Sequence, residues 1–273
     1  MKNLVLSAAC NIDPKQIEFF LKSLRKNYNE DICFLVGKKD VQTKKFLKIY
    51  NSDFLEIDVH KFDVQIKRYF FYLKILEKKE YNNILICDSR DIYFQSNPFD
   101  YSYRGSINFF LEDKKIKDCP FNSNWLINTY GRETYKSLSN NIISCSGTTL
   151  GNYEGIKTYL KLMLQNSSKY KYKKSLKYLL TFRRDKNGRG ADQAYANYIA
   201  HNNLIQNSYF YSNEKGPIAT VYHLKKIAFN KKYELINSLN EPYAVVHQYD
   251  KRWNEFESNV NEIKKELGID QAR

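Results

Sequence analysis

Asp88 and Asp91 stand three residues apart where the apolar run Ile84-Leu85-Ile86-Cys87 ends, and they are the side chains in the sequence best suited to hard-cation chemistry. Two carboxylates delivered by a buried strand can reach a divalent cation directly or through water, leaving coordination positions for phosphate oxygens. Ser89 and Arg90 lie between them, and a guanidinium there would either pair with a carboxylate or contact the phosphates of a ligand. The same four residues also suit a surface turn whose aspartates cap the next segment. His247 ends a second apolar run, Tyr243-Ala244-Val245-Val246, and leads into the charged segment Gln248–Trp253. A histidine leaving a strand into such a segment is a candidate third ligand, with a simple exposed histidine as the alternative. Lys251 and Arg252 come just after it and could neutralise a departing diphosphate.

Three further clusters could bear on a ligand. Ser144-Cys145-Ser146-Gly147-Thr148-Thr149 offers hydroxyls and, at Gly147, a backbone without a Cβ, which suits close approach of a sugar or phosphate. Glycine among β-branched residues equally describes a bulged strand. Asp192 and Gln193 open a helix after a glycine-containing basic loop that would present them to a substrate; a helix N-terminal cap region is the alternative. Lys67 and Arg68 sit on the helix before the acidic strand, where charged residues usually face solvent. There is no phosphate loop of the Walker type, no G-x-G-x-x-G and no Ser-His-Asp or Cys-His order, which argues against P-loop NTPases, dinucleotide enzymes and hydrolases.

The elements that must position these residues can be read from hydrophobic spacing. Leu4-Val5-Leu6 predicts a first strand ending in the small residues Ser7, Ala8 and Ala9. Asp13 predicts a helix cap, with Pro14 at the first helical position, Gln16 completing the cap, and Ile17, Phe20, Leu21 and Leu24 facing inward. Strands are expected at 32–36 and 54–59, separated by a helix over 41–50. A long helix over 63–79, with Ile66, Phe70, Leu73 and Leu76 on its buried side, then leads into the acidic strand. Four strands alternating with three helices make a doubly wound parallel sheet, whose carboxyl edge is where such sheets bind ligands. Further strands are expected at 107–111, 141–150, 218–224 and 243–247, with helices over 153–165, 191–201 and 253–267. Residues 121–138 show only broken helical patterning. The fold class is therefore α/β, a single Rossmann-type domain with a mostly parallel central sheet flanked by helices.

The formal charge of +14 predicts a surface that attracts anions, whether nucleic acid, an acidic membrane leaflet or phosphorylated substrates. Basic residues concentrate in an excursion over 167–190, expected to face either solvent or an anionic membrane. The five cysteines are scattered and odd in number, which fits reduced, buried thiols better than disulfides or a zinc site. Without a long apolar span or a leader-like start, a cytoplasmic protein is expected, peripheral at most to the inner face of a membrane.

Taken in order, Asp-Ser-Arg-Asp after an apolar strand, Ser-Gly-Thr-Thr-Leu-Gly, Ala-Asp-Gln and a late His-Gln-Tyr-Asp resemble the GT-A class of nucleotide-sugar glycosyltransferases, especially bacterial polysaccharide enzymes. The likeness spans roughly residues 1–255. It implies a catalytic domain over 1–252, with a nucleotide-binding half over about 1–100 and an acceptor half beyond it, closed by a C-terminal helix over 253–273. It implies a Mn²⁺ or Mg²⁺ ion held by Asp88, Asp91 and His247 on the diphosphate of a donor, a UDP-sugar by preference. Ser7, Ala8, Ala9 and Arg68 would hold the nucleotide. Ser146, Gly147 and Thr148 would line the donor sugar, and Asp192 and Gln193 would sit by the reacting anomeric carbon or the acceptor. The acceptor would be a glycan or a lipid-linked oligosaccharide in surface polysaccharide synthesis, such as capsule or lipopolysaccharide, and the late histidine resembles retaining branches. Arg90 takes the place of the second aspartate in the usual Asp-x-Asp. A nucleotidyltransferase would share the sheet and metal chemistry but needs a glycine-rich basic loop after its first strand, which Ser7-Ala8-Ala9-Cys10-Asn11 lacks. A nucleic-acid-binding protein would suit the charge and the 23 tyrosines, but no nucleic-acid motif is present.

Overall fold

Leu4–Ala8 (β1) is buried through its first four residues because the sheet is covered on both faces. Leu4 and Leu6 enter one apolar layer with Ile84 and Ile86, whereas Val5 enters another with Phe34 and Leu85. This is the period-two division expected of a central strand. The computed structural model describes residues 1–58, 64–167 and 190–269.

Asp31–Gly37 (β2) and Asn83–Cys87 (β4) flank β1 in parallel, and Asp53–Ile57 (β3) pairs in parallel with β2. Beyond β4 come Ile142–Asn152 (β7), Ile107–Lys115 (β6) and Ser208–Tyr211 (β8), giving the order β3-β2-β1-β4-β7-β6-β8. Only β7 runs against its two neighbours, so the seven-stranded sheet is mostly parallel. The strand order reverses between β1 and β4, and a crevice outside the carboxyl ends of strands at such a reversal is the usual ligand position in open α/β sheets. Asp88 lies there.

Lys15–Arg25 (α1) begins one residue later than expected, yet Asp13 does cap it: the Asp13 Oδ1 accepts the Lys15 N–H at 2.9 Å. Val41–Ile49 (α2) links β2 to β3. Val64–Leu76 (α3) differs from expectation in the face it buries. Its buried side chains are Arg68, Tyr69, Tyr72 and Leu76, while Phe70 is 44 % exposed and Ile66 and Leu73 are only partly covered. The helix is apolar almost all round, so spacing alone does not fix its orientation. The tyrosine face wins by packing on Tyr153–Ser167 (α5), where Tyr69 meets Tyr159 edge-on at 6.3 Å between ring centroids.

Pro120–Leu138 (α4) is helical on both sides of Gly131, whose φ of 85° breaks it and accounts for the interrupted pattern. The 141–150 segment lies in one strand whose register against β6 shifts between the Phe109–Thr149 and Leu111–Ser144 pairs, the irregularity that a bulged strand around Gly147 predicts. Ala191–His201 (α6) packs on β7 and α4, and β8, which hydrophobic spacing does not predict, forms the sheet edge.

A second sheet is built from Ile92–Phe94 (β5), Val245–His247 (β10) and Ile218–Thr220 (β9), in the order β5-β10-β9. The strand expected over 218–224 stops at Thr220 and continues as a 3₁₀ turn over Val221–His223. Trp253–Glu266 (α7) closes over this sheet, with Phe256 and Val260 buried among Phe19, Tyr93 and Tyr249. No helix among the described residues is long and apolar enough to cross a membrane. The basic excursion lies outside the described residues except for its end residues Ser167 and Gly190.

Candidate metal centre

β4 is anchored by Ile84, Leu85, Ile86 and Cys87, all buried, so the backbone that carries Asp88 is fixed. Ser7 Oγ donates to the Cys87 carbonyl at 2.8 Å and Ser89 Oγ to the Ala8 carbonyl at 2.9 Å, lacing β1 to β4 past their last paired residues. Ala9 N–H donates to the Leu35 carbonyl. On the other side the Asp88 N–H donates to the Gly147 carbonyl at 2.9 Å.

Asp91 leads directly into β5, and β5 pairs antiparallel with β10 so that Ile92 stands opposite His247. The Gln248 N–H donates to the Asp91 carbonyl at 2.6 Å. The small sheet thus carries His247 to the acidic pair. Nε2 of His247 lies 3.6 Å from Asp88 Oδ2 and 3.7 Å from Asp91 Oδ1, and one ligand atom from each of the three residues falls within 4.8 Å of the others. These three groups could hold a metal ion.

Two observations fit a cation there. His247 is fully buried, and its Nε2 has no hydrogen-bond partner, an omission that is costly unless something satisfies that nitrogen. Its Nδ1 faces Cys145 Sγ at 3.5 Å, the kind of outer contact that fixes the ring of a ligating histidine. Gly147 is the second. A Cβ there would lie 2.8 Å from both Asp88 Oδ2 and His247 Nε2, and nearer still to His247 Cε1. The missing side chain makes room for the donor atoms themselves.

The electrostatics agree. Burial alone would raise the Asp88 carboxyl, but the Arg68 guanidinium and His247 hold it well below the usual carboxylate range. Asp91 has no such guanidinium and is pushed up by burial, against the pull of His247 and with the charge of Asp88 adding to the rise. Burial would depress the His247 imidazolium, yet the facing Cys145 and the Asp91 and Asp88 carboxylates push its pKa well above the ordinary value. The pocket between the three side chains therefore favours positive charge, which is met by a proton on His247 or by a cation that displaces that proton.

Arg68 is not a solvated surface residue. It is 6 % exposed, with Nη1 donating to Asp88 Oδ1 at 2.7 Å and Nη2 to Asp192 Oδ2 at 3.0 Å and Tyr69 Oη at 3.2 Å. Asp192 is correspondingly buried and is not a capping residue. Its neighbour Gln193 clamps the β7 backbone, accepting the Ser146 N–H at 2.8 Å and donating to the Ser144 carbonyl at 2.5 Å. Asn197, one turn on, accepts the Ser144 N–H at 2.9 Å.

The remaining candidates divide between the centre and its surroundings. Ser146 is held through its backbone, and Thr148 is buried with its Oγ1 unsatisfied. Arg90 is exposed; the guanidinium paired with Asp88 comes from α3 instead. Lys251 pairs with Asp250 at 2.9 Å, and Arg252 is gripped by both oxygens of Glu255 and by the Leu224 carbonyl. All five cysteines are free and buried.

Sequence reasoning missed Cys145 as the outer partner of His247, and it missed Tyr69 and Asn197. It also missed Glu112, a buried carboxyl on β6 whose Oε2 lies 3.6 Å from His223 Nε2. Burial pushes Glu112 up to about 7, with His247 and Lys114 opposing the shift, and burial lowers His223. The spacing suggests an ion pair, but it is long for a hydrogen bond and both groups are driven towards their neutral forms, so the neutral description is the better one.

Comparison with known protein families and with curated proteins finds no match to either.

Proposed function

We propose that the chain is a metal-dependent glycosyltransferase that moves a sugar from a nucleotide-sugar, a UDP-sugar by preference, to a glycan or lipid-linked oligosaccharide. The observation that carries this reading is the meeting of Asp88, Asp91 and the unsatisfied His247 Nε2 at the strand-order reversal of a mostly parallel sheet. Two carboxylates and one imidazole favour Mn²⁺ over Mg²⁺, since imidazole is a poor match for magnesium. The bound ion would supply positive charge for the diphosphate that leaves with the nucleotide.

The chain's own residues do the rest. Asp88, Asp91 and His247 would hold the ion at the carboxyl edge, where its charge would suit a diphosphate. Ser7 and Ser89 keep β1 and β4 together where the nucleotide would lie, and Gln193 and Asn197 hold the Ser144–Ser146 backbone beside it. Arg68 engages both Asp88 and Asp192, so neither carboxylate is available as a general base in this arrangement. That favours a retaining reaction in which the leaving phosphate takes the proton of the acceptor hydroxyl.

The test is titration of the purified chain with Mn²⁺, then with UDP and a panel of sugar nucleotides, with product analysis. Mn²⁺-dependent nucleotide binding and release of nucleoside diphosphate from one donor are expected. Release of pyrophosphate from a sugar phosphate and a nucleoside triphosphate would identify a nucleotidyltransferase instead, and absence of Mn²⁺ binding would sink both readings.

A further inference from the structure

We infer that Arg68 restricts Asp88 to a single oxygen at the cation and thereby selects a six-coordinate ion such as Mn²⁺ against Ca²⁺. The inference rests on the reading of Asp88, Asp91 and His247 as a metal centre and adds to it a determinant of which ion is held.

The two oxygens of Asp88 face different partners. Oδ2 points to His247, 3.6 Å from Nε2, while Oδ1 accepts a charge-assisted bond from Arg68 Nη1 at 2.7 Å. The guanidinium cannot easily withdraw. It is buried on α3, its other terminal nitrogen is engaged by Asp192 at 3.0 Å and by Tyr69, and it has no accessible neutral form. Asp192 is itself fixed at the start of α6 and 8 % exposed in its side chain.

A cation that used both oxygens of Asp88 would have to displace Arg68 from Oδ1 or sit against its positive charge. Removing the guanidinium from Oδ1 would leave a buried charge less well paired, a costly change. The cation is therefore offered one oxygen from Asp88, with Asp91 Oδ1 and His247 Nε2 as the other protein donors. With Asp88 limited to one oxygen, the protein gives the ion fewer oxygens, and a six-coordinate cation would complete its shell with fewer phosphate oxygens or waters than Ca²⁺ requires. Calcium prefers six to eight oxygens at longer distances, commonly with a bidentate carboxylate, and gains nothing from imidazole. Arg68 thus acts on the ion through Asp88, as a positioning residue.

The experiment uses the full chain and the metals alone. Mn²⁺ affinity is read from the electron-paramagnetic-resonance signal of the free ion, and Ca²⁺ affinity by competition against it. The wild-type protein is compared with Arg68→Lys, which keeps the charge but loses the two-pronged fork, and Asp192→Asn, which loosens the anchor. Wild-type protein is expected to bind Mn²⁺ at least about tenfold more tightly than Ca²⁺, and the ratio should narrow about tenfold in either variant that remains folded. Equal wild-type affinities for the two ions, or a ratio unchanged in a folded variant, would overturn the inference while leaving the metal centre standing. Failure of the wild-type protein to bind Mn²⁺ would refute the metal centre itself.

Discussion

Replacing Gly147 with alanine adds one methyl group to β7, at the point where the acidic pair and His247 meet. The new Cβ would stand 2.8 Å from Asp88 Oδ2 and from His247 Nε2. Ordinary heavy-atom contact begins at about 3.4–3.5 Å, so each donor atom must retreat by at least about 0.6 Å. Metal–ligand distances tolerate only about 0.2 Å. His247 is fully buried and its strand is paired on both sides, so the retreat distorts the centre rather than being absorbed by solvent. Overpacking of this kind costs about 1–3 kcal/mol of stability, a melting-temperature decrease of about 2–12 °C for a chain of this size. Mn²⁺ affinity should fall by about 100-fold, the upper end for changes that misplace ligands without removing them. Gly151→Ala is the control: its Cβ would strike the Ser106 carbonyl, away from the donor atoms, so a folded Gly151→Ala protein should lose stability and keep its Mn²⁺ affinity. The reasoning fails if Gly147→Ala binds Mn²⁺ as the wild type does, or if Gly151→Ala loses affinity equally.

The same geometry sets three further outcomes. His247→Ala should abolish Mn²⁺ binding in a protein whose circular dichroism is retained; wild-type affinity in that variant would remove the histidine from the centre. Glu112 keeps its proton in the folded chain up to about pH 7 but releases it at about 4.5 when unfolded, so its contribution to stability is present below pH 4.5 and is lost as pH rises to 7. Glu112→Gln should remove that loss, about 3 kcal/mol in favour of the variant above pH 7, and chemical denaturation curves that stay parallel from pH 5 to 8 would contradict it. Asn197→Ala deletes the acceptor of the buried Ser144 N–H and should cost about 1–3 kcal/mol, measured by urea denaturation; an unchanged midpoint would show that the bond is dispensable.

The strand bearing Asp88 was legible because an uninterrupted apolar run needs cover on both faces and its abrupt end exposes the residues beyond it. His247 was legible for the same reason. That the two runs meet was implied by the resemblance and not by their spacing, since it depends on the pairing of Ile92 with His247, and short apolar runs carry no label for their partners. Arg68 was hidden more deeply. A single arginine on a helix is ordinarily a surface charge, and the residue that keeps this one inside, Asp192, is brought to it by the packing of α3, α5 and α6. Gly147 was singled out as a backbone position without a Cβ, and the space it leaves is bordered by the Asp88 and His247 side chains. The direction of β7 was not readable, because a strand covered on both faces has the same apolar pattern whichever way it runs.

The pairing of β5 with β10 sets an order of events during synthesis. Once Ser208–Tyr211 has left the ribosome, every strand of the main sheet exists, and both aspartates of the centre have long since been made. The antiparallel edge of Ile92–Phe94 must still wait for Val245–His247, leaving unsatisfied backbone groups beside Asp91 in the nascent chain. A chain arrested in that interval carries the acidic pair without its histidine and presents an open strand edge.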